Sequence, residues 1–264
     1  MYNVVSWMWH KSIVPPSALR QVDFAKISPL FYAVRRGNMK VIELLIRAGS
    51  SKNESTKFAN QIVEDGASTP LFAAVESGNG TVVRRLIALG ADVNLPVKGG
   101  FSPLYAAVAS GNLAVAEILL EKRASVHSVT PTGVTLLCIC AASLSGTPAM
   151  MTLLLKYGAD PMAATKSGMT PMHFACKSGN FRVSKYLLNL RPPIDMEYPD
   201  SRSRTPFQLA CESAHIELVE LLLAVPCSQG IALRRRRCLQ CCTVLPMRKA
   251  KDGSFFPALA ETSR

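Results

Sequence analysis

The sequence predicts an all-α fold of the solenoid type, built from about six pairs of short helices joined by short turn-like arms. Three observations carry this expectation. One phrase is written four times, as ISPLFYAVRRGN (27–38), STPLFAAVESGN (68–79), FSPLYAAVASGN (101–112) and GMTPMHFACKSGN (168–180). Its proline falls at Pro29, Pro70, Pro103, Pro171 and Pro206, with Leu136 of GVTLLCICAA (133–142) in the vacant place, so the steps are 41, 33, 33, 35 and 35 residues. A fixed period of this size signals stacked supersecondary units. Each phrase also leads into a second apolar block, from VIELLIRAGS (41–50) to LVELLLA (218–224).

The units run in order over about 27–59, 68–100, 101–132, 133–167, 168–202 and 203–224. The first is followed by SSKNESTKFANQIVEDGAS (50–68), polar enough to be an enlarged exposed arm. In the second, Thr69 can cap a helix whose first turn holds Pro70, where a missing N–H costs nothing. Leu71, Ala74 and Val75 then form one apolar face at i, i+3, i+4 spacing. Gly78 ends that helix, Val82, Val83, Leu86 and Ile87 line the next one, and Gly90 suits a left-handed stop. The third unit repeats this pattern up to VAEILLEKRASVH (115–127). The fourth lacks the proline and carries about two extra residues around Ser143–Gly146, and the arm after the fifth, Arg191–Arg204, is long and contains Pro192, Pro193 and Pro199. No single unit can bury both of its helices, so the copies must stack, and one elongated domain is expected. Residues 1–26 form an N-terminal extension or cap, and residues 225–264 form a basic tail, expected to be flexible, that shares neither period nor phrase.

The six residues Thr170-Pro171-Met172-His173-Phe174-Ala175 are similar to the motif T-P-L-H-x-A, and Gly90-Ala91-Asp92-Val93-Asn94 and Gly158-Ala159-Asp160 match the loop endings that go with it. Over about residues 27–224 the chain resembles the ankyrin repeats. That resemblance implies a fold of helix-turn-helix units with β-turn arms, and a His173 whose ring bridges neighbouring arms by hydrogen bonds. It also implies a non-enzymatic scaffold or adaptor that holds a protein partner on the concave surface made by arms and first helices.

Composition narrows the function classes. Cys138, Cys140, Cys176 and Cys211 fall inside first helices where other copies have small or apolar residues, so they read as core thiols of a reducing compartment, cytoplasmic or nuclear. The start MYNVVSWMWHKSIVPPSA lacks a preceding basic residue and is interrupted by His10 and Lys11, so no secretory signal is expected. Residues 132–155 run without a charge for long enough to span a bilayer. Gly146 and Pro148 nevertheless stand where a turn between two helices belongs, which argues against a membrane span.

The net charge of +12 divides as +2 over residues 1–26, +4 over 27–230 and +6 over 231–264. The array is mildly basic, and nucleic-acid binding is not expected of it. A catalytic triad, HExxH, a phosphate loop and a dinucleotide GxGxxG are all missing, so no enzyme and no cofactor are expected. His127 and His215, like His173, occupy places set by the repeat.

The side chains that vary between copies while their neighbours keep the pattern are the contact candidates. In the first helices these are Tyr32, Arg35, Arg36, Glu76, Phe174, Lys177 and Glu212. In the arms they are Lys98, Phe101, Lys166, Met169, Tyr198 and Arg202. Aromatic and arginine side chains are favoured at the energetic centres of interfaces. The partner is expected to be another protein, met by a monomeric array.

In the tail, Arg234, Arg235, Arg236 and Arg237 precede Cys238, Cys241 and Cys242. A C-x-x-C pair is half of a zinc site, and with no second pair and no nearby histidine no metal is assigned. The same residues suit acylation, contact with anionic lipid, or nuclear import. An adaptor steered by this tail to nucleus or membrane is one alternative; a substrate-recognition or regulatory subunit of a larger enzyme complex is another.

Overall fold

The computed structural model describes residues 29–48, 56, 59–62, 68–191, 193–224, 247–249 and 255–257. The chain divides into two compact units, Met1–Asp160 and Pro161–Arg264, where the repeat spacing suggests one array. Such divisibility is inherent in repeats that are held mainly by near neighbours.

Among its described residues the first unit has eight helices in four pairs: α1 Pro29–Arg35 with α2 Met39–Ala48, α3 Pro70–Glu76 with α4 Gly80–Ala88, α5 Pro103–Ala109 with α6 Leu113–Glu121, and α7 Leu136–Ala142 with α8 Pro148–Lys156. In this unit α3, α5 and α7 each start where a Ser or Thr hydroxyl accepts a backbone N–H of the first turn. Thr69 takes that of Phe72 at 3.1 Å, Ser102 that of Tyr105 at 3.1 Å and Thr135 that of Cys138 at 3.3 Å. The cap therefore survives in the fourth copy although Leu136 replaces proline. The second helices are capped by Asn38, Asn79 and Asn112, whose Oδ1 atoms accept from Val41, Val82 and Val115, and by Thr147.

In α3 every residue from Pro70 to Val75 is buried, and in α4 Val82, Val83 and Leu86 turn inward. The helix α3 packs on α1, α4 and α5, and α5 in turn on α6 and α7, which gives one core layer threaded through the four pairs. Leu86, Leu104, Leu119 and Leu154 are wholly inaccessible to solvent. Burial of one such side chain stabilises by about 1.5–3 kcal/mol. Outside the core, Arg85 grips both oxygens of Glu43 on α2, at 2.8 and 2.9 Å.

The charge-free stretch 132–155 folds as the separate helices α7 and α8. Gly146 is buried between them, and a Cβ there would collide with the carbonyl oxygen of Cys140. Among the described residues no helix is long and apolar enough to cross a membrane.

The insertion after the first copy departs from expectation. Ala59 is buried, and Asn60 is not part of a free arm: its Oδ1 accepts the Asp92 N–H at 2.7 Å and its Nδ2 donates to the Gly90 carbonyl at 2.9 Å. Asn94 makes the same pair of bonds one copy later, to the Ser125 N–H and the Arg123 carbonyl. The end of the insertion thus rejoins the repeat, its asparagine restoring the register of the loops.

The second unit contains α9 Pro171–Ser178, α10 Phe181–Leu188, α11 Pro206–Glu212 and α12 Ile216–Ala224. Here α9 packs on α10 and α11, and α12 on α10 and α11. Outside the helices, β1 Met247–Lys249 pairs antiparallel with β2 Phe255–Pro257, so the tail holds a short ladder that the all-α pattern gives no hint of.

Candidate functional site: arms and first helices

The arms share one closure. A residue donates its N–H to the carbonyl four residues on and accepts the N–H three residues on. In the first unit this is Val97 with Phe101 and Gly100, and Thr130 with Val134 and Gly133; in the second it is Thr165 with Met169 and Gly168, and Asp200 with Arg204 and Ser203. The third position after the start has a left-handed backbone, with φ of 77°, 79° and 74° at the three glycines and 57° at Ser203. Only glycine adopts that region without steric cost, so Ser203 is held there by its arm.

Side chains finish the turn. Thr130 and Thr165 accept through Oγ1 the N–H of Val134 and of Met169, both at 3.1 Å. Asp200 does more: Oδ1 accepts the N–H groups of Arg202 and Arg204 at 2.8 and 2.9 Å, and Oδ2 accepts Nε and Nη2 of Arg204 at 3.0 and 2.8 Å. Burial pushes the Asp200 carboxyl up, but the bonds from Arg204 and Arg202 outweigh it and hold the group below its ordinary range. Arg204 also reaches Glu212 at 3.2 Å, which ties the arm to α11.

His173, on α9, is fully buried. Its Nδ1 faces the Thr170 N–H at 3.1 Å, so that nitrogen is the acceptor, and Nε2–H donates to the Arg204 carbonyl at 3.2 Å. Burial lowers its pKa, opposed by the bond to Arg204 and the charge of Asp200. A histidine fixed at both nitrogens in a dry core is a strut between arms, as the resemblance implied.

The exposed residues fall on a regular row. The seventh residue of each first helix is Arg35, Glu76, Ala109 and Ala142 in the first unit, and Lys177 and Glu212 in the second; all are exposed except half-buried Ala109. The sixth residue, Val34, Val75, Val108, Ala141, Cys176 or Cys211, is buried in every case. Arg36 is exposed beside this row, Tyr32 is 47% exposed and Phe174 is half-buried.

In the arms Lys98, Lys166, Tyr198 and Arg202 are exposed. Phe101 is half-buried, its ring centroid 4.6 Å from that of Tyr105 at a tilt of 45°. Met169 departs from expectation: it is only 9% exposed, because the position that closes an arm turns its side chain inward. The targeting candidates Arg234, Arg235, Arg236, Arg237, Cys238, Cys241 and Cys242 lie outside the described residues.

Sequence reasoning passed over three features of this face. Val129 is 52% exposed on its arm, Leu144 is 85% exposed between α7 and α8, and Tyr105 supports Phe101. Val129 sits where the neighbouring copies have Pro96 and Ala164, a difference that could have found it, whereas Tyr105 shares an aromatic position with Phe31 and Phe72 and gave no such signal.

Comparison with known proteins gives one family. A family model described as ankyrin repeats (3 copies) matches residues 10–97, 30–130 and 136–233. No curated protein matches the chain.

Proposed function

We propose, for a chain that belongs to the ankyrin repeat family, that it works without catalysis by holding another protein on the face made of its arms and first helices. Ankyrin repeats generally mediate protein–protein contacts and are typically not enzymes. The observation that carries the reading is the row described above. The buried sixth positions keep small or aliphatic residues, whereas the adjoining seventh positions run through Arg35, Glu76, Ala109 and Ala142 with no common chemistry. Packing cannot require that variety, because these side chains stand outside the core; recognition of a partner can.

Buried cysteines at Cys138, Cys140, Cys176 and Cys211, none of them in a disulfide, support a reducing compartment, so the cytoplasm or nucleus is the proposed setting. A photo-crosslinking residue tests the face directly when it replaces Glu76 or Ala142 in cells, with Arg84 and Glu117 on the exposed side of the second helices as comparison. Adducts from the first pair and not from the second support the assignment. Adducts from the second pair alone would place the partner on the other side of the repeats.

A further inference from the structure

The face of arms and first helices changes character along the first unit. Its first helices stack in order, α1 on α3, α3 on α5 and α5 on α7. In each of them the fourth and seventh residues stand one turn apart on the same side. These pairs are Tyr32 with Arg35, Ala73 with Glu76, Ala106 with Ala109, and Ile139 with Ala142. The first two pairs each end in a charge, and the last two contain none.

The charges on the first part do not balance. Along α1 and the residue after it, α3, and the arm turn 97–101, the exposed ionic side chains are Arg35, Arg36 and Lys98 against Glu76 alone, a net +2. None of these three cations is paired with a carboxylate among the described residues. By contrast α5, α7 and the arm turn 130–134 carry no charged residue at all. Ala106, Ala109 and Ala142 give this second part a floor of small side chains. At its arm end stand the paired rings of Phe101 and Tyr105, and Val129, 52% exposed. A helix of seven residues is about 10 Å long, which leaves room across the floor for one segment of chain.

The two parts select opposite chemistries. A charge laid on alanines and aromatic rings would lose water and find no counter-ion, so the second part favours an apolar side chain. The unpaired cations of the first part attract carboxylates and repel a basic partner. We infer that the first unit holds a partner segment with carboxylates against Arg35, Arg36 and Lys98, and a bulky apolar anchor over Ala109 and Ala142. The inference rests on the proposed use of this face and adds the chemistry of the partner. Neighbouring helices pack about 8–10 Å apart, a step of about three residues in extended chain. Arg35 and Ala109 are two such steps apart, so acid and anchor should be separated by about six residues.

The test is selection of phage-displayed random peptides, long enough to hold both groups, on the immobilised full-length chain. Enrichment of peptides with Asp or Glu about six residues from Trp, Phe, Leu or Met is expected. For an enriched peptide, Arg35→Glu with Arg36→Glu should weaken binding about tenfold and flatten its dependence on salt. Ala109→Gln with Ala142→Gln should also weaken it about tenfold but leave the salt dependence in place. Far-UV circular dichroism and the melting midpoint of each variant check that the helices persist. Peptides without carboxylates that are lost only in the glutamine variant would overturn the inferred chemistry and leave the face in use. Peptides that neither variant affects overturn the inference, and so does a selection that enriches nothing. Crosslinks from Glu76 or Ala142 in cells decide the wider reading of the face independently of these outcomes.

Discussion

His173 and Arg204 are joined across 31 residues of chain by a bond from Nε2–H to the backbone carbonyl, at 3.2 Å. The opposite ring nitrogen is held by Thr170, so the side chain links a helix start to the arm that follows and has no free nitrogen for chemistry. Its replacement by alanine should cost about 0.5–2 kcal/mol, the scale for leaving a buried partner unsatisfied. A melt of the variant checks it; an unchanged midpoint would remove the structural role.

The same site fixes a pH dependence. The folded pKa of His173 is depressed below its ordinary value near 6.5, so the folded state binds a proton less readily than the unfolded chain. Its contribution is present above about pH 6.5, begins to fall below that value and is lost as pH falls through the lower folded pKa. The melting midpoint should therefore drop between pH 7.5 and pH 5.5. In His173→Gln most of that slope should vanish, and persistence of the full slope would assign it to another group.

Ser203 occupies a left-handed position that three other arms fill with glycine. Ser203→Gly should stabilise by up to about 1 kcal/mol, the relief of backbone strain less the added freedom of the unfolded chain. Chemical denaturation of the pair reads this; a destabilised variant would mean that the serine side chain contributes more than the strain costs.

Ser184 lies at a wholly buried place on α10 where the other second helices carry Ile42, Val83, Ala116, Met151 and Val219, and its hydroxyl has no hydrogen-bond partner. Ser184→Ala should therefore raise stability by about 1 kcal/mol, since an unsatisfied buried hydroxyl is removed without a large cavity. A lower denaturation midpoint would reveal a hidden partner for the oxygen.

The thiols of the repeats should be inert. Burial pushes Cys138, Cys140 and Cys176 up, Cys140 to about 11 despite a weak bond to the Thr147 carbonyl. Peptide mapping after brief iodoacetamide treatment at pH 8 should find these three unmodified in the folded chain and modified once it is denatured. Modification in the native state would show that the first helices open readily.

Much of this architecture was legible because its signals are local. A Ser or Thr cap before proline fixes a helix start wherever it occurs, and Thr135 kept that function after Leu136 replaced the proline. Gly146 and Pro148 marked the break in the charge-free stretch for the same reason. What stayed hidden depends on groups distant in sequence. The role of Asn60 is defined by Gly90 and Asp92, so a polar insertion looked like exposed arm. Met169 varies between copies as a contact residue would, but the inward turn of its side chain is set by its bonds to Thr165. Asp200 gives no sign in DSRSRT that it will gather Arg202 and Arg204 around it.

We propose that the seventh positions of the first helices serve binding and not folding. Recovery of bound protein from cells by the full chain, compared with Arg35→Glu combined with Glu76→Lys, tests it when each protein is also melted. Both side chains are exposed, so the midpoint should move by no more than the shift expected of about 0.5 kcal/mol, while recovery of the partner falls by about tenfold or more. Undiminished recovery by a variant that still melts like the parent would show that these positions do not hold the partner.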